Sequence, residues 1–153
     1  YLEKAFAYGA ELGTPIIMAM DLDETISAAE AKRHLDSWEH LKGLNISTAA
    51  LAKVIAATDG IMLGITTGEK TIGAIRLDCS ESPEILSEIG KDLLLHVLAE
   101  NGAYIEDFGD WTPSVEGNTF LLRGEMSLNG AREERLGSAR CLSSRPVFFS
   151  MSR

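Results

Sequence analysis

Asp21 and Asp23 stand two residues apart at the end of an apolar run, Ile16-Ile17-Met18-Ala19-Met20, and Glu24 and Thr25 follow them. Paired carboxylates at a strand end suit phosphoryl transfer. One attacks phosphorus, the other protonates the leaving oxygen, and a divalent metal offsets the repulsion between the anions. A plainer reading is that the acidic side chains leave a strand into solvent just before a helix N-terminus, where negative charge is favoured. Other reactive residues form no comparable pattern. His34 and His40 share no helix face, and His96 has no neighbouring His or Cys. None shows the i, i+4 pairing of a zinc-binding helix. Cys79 follows Asp78 with no histidine beside it. Gly64, Gly68 and Gly73 do not have phosphate-loop spacing, and no G-x-S-x-G elbow is present.

The stretch from Ile16 to Thr25, an apolar strand closing in D-x-D-x-T, resembles the first motif of the haloacid-dehalogenase phosphatases. The resemblance implies that Asp21 accepts the phosphoryl group and Asp23 acts as general acid and base. It implies Thr66 or Thr67 as the second-motif hydroxyl and Lys70 as the cation. Magnesium would be held by Asp21 and Asp23, with Asp107 and Asp110 as further ligands. It also implies a parallel sheet, with the Ser/Thr motif at the end of a parallel strand. The local pattern around Thr66 predicts something else. Ile61, Leu63 and Ile65 alternate with Met62, Gly64 and Thr66, then comes Thr67-Gly68-Glu69-Lys70, then a second alternating run from Thr71 to Asp78. Two period-two runs about a short glycine-containing turn make a β-hairpin, which reverses the chain. The leading expectation is therefore no catalytic, cofactor or metal residue, with the magnesium-dependent phosphatase as the alternative.

The remaining elements frame these residues. Residues 1–12 read as a helix end closed by Gly13. Thr14 to Leu22 reads as a strand covered on both faces, or an interior one. Ser27-Ala-Ala-Glu30 is a capping box, after which Ala31, Leu35, Trp38 and Leu41 recur at helical spacing up to Gly43. A further helix starts near Ser47 or Thr48 and ends by Asp59-Gly60. Ser82-Pro83-Glu84 signals the start of a long helix with a wide apolar face from Ile85 to Leu98, stopped by Asn101-Gly102. Trp111 to Ser127 reads as a second hairpin turning at Gly117-Asn118. Hairpins force antiparallel neighbours. The order predicts an α+β, two-layer α/β sandwich: a mainly antiparallel sheet built from hairpins, with helices on one face.

One domain over residues 1–130 and an Arg/Ser-rich, largely irregular tail over 131–153 fit the composition. No apolar run is long enough to span a bilayer. The net charge of −9 splits into −12 over residues 1–122 and +3 over residues 123–153. An acidic body repels phosphate backbones, so nucleic acid is not an expected partner. Cys79 and Cys141 make neither a disulfide framework nor a zinc spacing, though one bridge is conceivable if the tail folds back. The chain opens on Tyr1, which fits a fragment or processed product.

As a whole, Tyr1 to Gly130 resembles the later part of a family of exported bacterial proteins with no assigned activity. The carrying stretches are Tyr1 to Met20, Ile61 to Ile65, Lys91 to Gly102 and Asp110 to Gly124. The resemblance implies export to the periplasm or cell envelope and a larger parent protein. The expected role is then a non-catalytic structural or binding module. Its partner would be an unknown protein, the rest of the parent chain, or another copy joined through an exposed sheet edge.

Overall fold

The computed structural model describes residues 1–127. Expectations for the tail, including any role for Cys141, lie outside the described residues. The helices are α1 (Leu2–Glu11), α2 (Ala28–Ser37), α3 (Thr48–Ala56) and α4 (Leu86–Glu100). The strands are β1 (Ile16–Asp21), β2 (Thr58–Thr66), β3 (Thr71–Cys79), β4 (Thr112–Glu116) and β5 (Thr119–Met126). They form one sheet in the order β1-β2-β3-β5-β4, antiparallel at every junction. The protein is thus an α+β sandwich on an antiparallel sheet, as the two hairpin patterns predict.

Local chemistry accounts for most boundaries. The capping box forms: Ser27 Oγ accepts from the Glu30 N–H at 3.2 Å, and the Ser27 N–H donates to Glu30 Oε2 at 3.3 Å. Ser47 Oγ caps α3 by accepting from the Ala50 N–H. The β4–β5 turn passes through Gly117 at φ +58°, where a side chain would be strained. Three boundaries differ from the pattern. Helix α2 ends at Ser37, because Trp38 turns extended and its ring stacks on His96 of α4; a short 3-10 turn over Glu39–Leu41 still buries Leu41. Ser82-Pro83-Glu84 forms a preliminary turn, with the Leu86 N–H donating to the Pro83 carbonyl, so α4 begins at Leu86. Asp59-Gly60 does not end a helix but lies inside β2, at a register irregularity between Thr58 and Gly60.

Strand alternation divides the side chains cleanly. One face presents Ile61, Leu63, Ile65, Ile75, Leu77, Phe120, Leu122 and Met126 to α2, α3 and α4, and these form a single apolar core with Leu35, Leu51, Ile89 and Phe108. Helix α1 is the exception to the one-sided arrangement. Its Gly9 abuts Ile17 and its Tyr8 ring abuts Arg76, both on the opposite face, so the sheet carries one helix there. The apolar run of β1 is also not that of an interior strand. β1 is an edge, half covered by α1, with Met18 and Met20 exposed on the other face.

Trp111 locks the centre of the sheet. Its indole lies flat against Gly73 of β3 and Gly124 of β5, which face each other across the ladder, and its Nε1–H donates to the Glu125 carbonyl at 3.0 Å. A Cβ on either glycine would run into the ring. Gly73→Ala and Gly124→Ala are each expected to cost about 1–3 kcal/mol through overpacking, read as a lower urea midpoint. Unchanged midpoints would show that the ring is not seated there.

Candidate functional site

The Asp21–Thr25 segment is a turn leaving β1. The Asp21 Oδ1 accepts the Asp23 N–H at 3.1 Å, and the Thr25 hydroxyl donates to the Asp23 carbonyl at 3.2 Å. Glu24 takes up φ +54° within it. The partners that the phosphatase resemblance requires lie elsewhere. β1 runs antiparallel to β2, with Asp21 opposite Gly60 and Ile16 opposite Ile65. Thr66 is therefore at the far end of the ribbon from Asp21, roughly 20 Å away at about 3.4 Å per residue, and Thr67 and Lys70 lie beyond it. Thr66 donates its hydroxyl to Thr14 Oγ1, and Lys70 pairs with Glu125. Asp107 and Asp110 belong to a 3-10 turn packed on β5, and Asp107 Oδ2 accepts the Ser127 N–H at 2.7 Å. β5 is three strands from β1, roughly 14 Å in strand spacings. The parallel sheet that this resemblance implies is not formed, and its residues do not converge. Among the described residues, no three His, Cys, Asp or Glu side chains are placed to share a metal ion.

Cys79 is buried in the core, where desolvation pushes its thiol pKa up, against a smaller opposing effect of the Thr58 hydroxyl. That is the reverse of an activated nucleophile. His40 and His96 flank the Trp38 ring, at centroid distances of 5.2 and 5.1 Å, and face Asp92 and Glu100 respectively. This cluster ties the turn after α2 to α4. Its parts come from two segments far apart in sequence, and spacing alone did not join them.

A second polar cluster, also missed from sequence, sits where α1 crosses the sheet. Arg76 grips Asp78 through Nε and Nη2, with bonds of 2.7 to 3.0 Å, and the Thr119 hydroxyl donates to Asp78 Oδ1 at 2.9 Å. The Tyr8 ring stacks on the Arg76 guanidinium at 4.2 Å, Lys4 approaches Asp78, and the Tyr1 ring covers Gly60. Burial works to raise the Asp78 pKa. The hydrogen bonds from Arg76 and Thr119, with the Arg76 charge, outweigh it and hold the carboxyl below its usual range. The one signal available was period two: residues 76 and 78 must share a face. The Asp78 carboxylate has both a cation and a hydroxyl donor, so the pair reads as the anchor of α1.

The remaining feature is the β1 edge. The Leu22 N–H donates to the Asp59 carbonyl at 2.9 Å. Antiparallel alternation then turns the N–H and C=O groups of Ile16, Met18 and Met20 inward to β2, and those of Ile17, Ala19 and Asp21 outward. Among the described residues β1 pairs with β2 alone. Met18 and Met20 are 43% and 56% exposed. On α1 the buried stripe is Ala5 and Gly9. Tyr1, Lys4 and Tyr8 lie on the β3 flank, which by the 3.6-residue turn leaves Leu2 and Phe6 on the flank toward the β1 edge. Five of the seven exposed large apolar side chains among the described residues, Leu2, Phe6, Leu12, Met18 and Met20, belong to α1, β1 or the link between them. The opposite edge is protected: β4 is five residues long, carries Pro113 and ends in Glu116. The chain matches no family model, no curated protein and no solved structure.

The anchor of α1 is testable. Arg76→Ala leaves Asp78 buried without its cation, at a cost of about 3 kcal/mol at pH 7. Because the folded pKa of Asp78 lies below its unfolded value near 3.9, the pair's contribution is complete above about pH 4 and fades as pH falls through the folded value. Urea titrations should show the gap between wild type and variant narrowing below that pH. An equal gap at pH 7 and pH 3 would show that the ion pair is not its source.

Proposed function

We propose that this chain is a non-catalytic binding module of a larger exported bacterial protein, and that it engages a protein partner by adding a strand to β1. The observation that carries the reading is the β1 edge: an outward row of backbone donors and acceptors, bordered on both faces by exposed apolar side chains. Main-chain hydrogen bonds give affinity in strand addition, and the flanking side chains give selectivity. Large exposed apolar patches on soluble domains mark interaction sites, and an unprotected edge next to such a patch is a hazard unless something pairs with it. Export rests on the likeness of Tyr1 to Gly130 to exported bacterial proteins.

The test has two arms. The immobilised chain should retain a protein, a second copy of itself included, that a Met18→Lys, Met20→Lys chain does not retain, with both folding alike by circular dichroism. A panel of general substrates, including an aryl phosphate with magnesium, should show no turnover. Hydrolysis that disappears in Asp21→Asn would overturn the reading.

A further inference from the structure

Resting on that reading of the edge, we infer that the occupant of β1 is a second copy of this chain, paired antiparallel about a two-fold axis at Ala19. The argument starts from which backbone groups are available. Ile17, Ala19 and Asp21 point outward, so a copy related by a two-fold at Ala19 bonds Ala19 to its counterpart and Ile17 to Asp21 on each side. All of these residues have an N–H to donate. The same register places Met18 directly opposite Met20 of the other copy, twice. These are non-hydrogen-bonded positions, where side chains come closest, with Cα atoms about 4.5 Å apart. Both methionines exposed in one copy are thereby covered by the two exposed in the other. On the α1 face the axis passes Ala19, the smallest side chain of the strand, with Leu2 and Phe6 of each copy to either side.

Neighbouring registers fail for separate reasons. An axis at Met18 sets Asp21 against Pro15, which lacks a backbone donor. An axis at Asp21 sets two carboxylates directly opposite, which is destabilising, and an axis at Met20 brings them close. At Ala19 the acidic turns, Asp21 to Glu24, lie at opposite ends of the shared ribbon. No Lys or Arg occurs between Ile16 and Asp21 to resist pairing. The product is a ten-stranded antiparallel sheet with the protected β4 edges at its two ends. Set against the roughly 800 Å² per partner of a standard interface, one six-residue strand and four side chains make a small patch, so the dimer is concentration-dependent.

Sedimentation of the full 153-residue chain over a wide concentration range tests this. The wild type should pass from monomer to dimer. Ala19→Pro removes an outward N–H that the β1–β2 ladder does not use, so it should give a monomer with unchanged circular dichroism. Met18→Lys should weaken the dimer about tenfold, since each dimer contains the position twice. Adding Met20→Glu should recover most of that loss, because only in the Ala19 register do the introduced charges meet across the two strands. A dimer indifferent to Ala19→Pro, or a double variant no better than Met18→Lys, overturns the inference. A chain that stays monomeric yet binds an envelope protein through the same residues overturns the second copy alone. A chain whose edge variants change neither self-association nor envelope binding overturns the edge reading as well.

Discussion

The chain reversal between Thr66 and Thr71 is the constraint on which the rest of this structure hangs. β2 and β3 are the longest strands, and their ladder is the middle of the sheet. Every other strand is added to that ribbon: β1 to the outside of β2, β5 to the outside of β3, and β4 to β5. Because a tight turn permits only antiparallel pairing, the direction of each later addition decides which ends of which strands become neighbours. Asp21 ends up beside Gly60, and Thr66 beside the start of β1. The hairpin turn of four residues thus sets Asp21 and Thr66 at opposite ends of the ribbon.

What was legible in the sequence was what depends on short spacings. The capping box at Ser27 and Glu30, the two hairpin turns and the stripe of α4 are all decided by residues within a few positions of each other. What was hidden depends on which surfaces meet. A short helix with apolar residues does not say which face of a sheet it will cover, and α1 took the face opposite the others. The apolar run of β1 matches a buried strand and an exposed edge equally well, since Met18 and Met20 read the same whether covered or not. The Arg76–Asp78–Thr119 cluster joins positions whose contact is decided only when β5 pairs with β3. For the paired aspartates, the bland reading of a strand exit agrees with the Asp21-to-Asp23 turn.

The two faces of the sheet are held by different forces. On one, α2, α3 and α4 share a continuous apolar core, and the stabilisation is spread over many side chains. On the other, α1 buries little beyond Ala5, Gly9 and Met62, none of which belongs to that core, and much of its hold comes from the polar cluster around Arg76 and Asp78. Spread-out apolar contacts lose stability gradually when one is removed. A buried charge pair loses it abruptly, since each partner's desolvation is offset by the other.

The chain holds two tryptophans, and the fold has placed them in unlike surroundings. Trp111 is sealed between strands and an aromatic neighbour, Phe108, at a centroid distance of 4.7 Å. Trp38 stands between two imidazoles, one nearly parallel to it. An indole cut off from water emits to the blue of a partly exposed one, and Trp111 is fully buried whereas Trp38 is half-buried. The intrinsic fluorescence of this protein therefore carries two separable channels, one reporting the integrity of the central ribbon and the other the packing of the turn after α2 against α4.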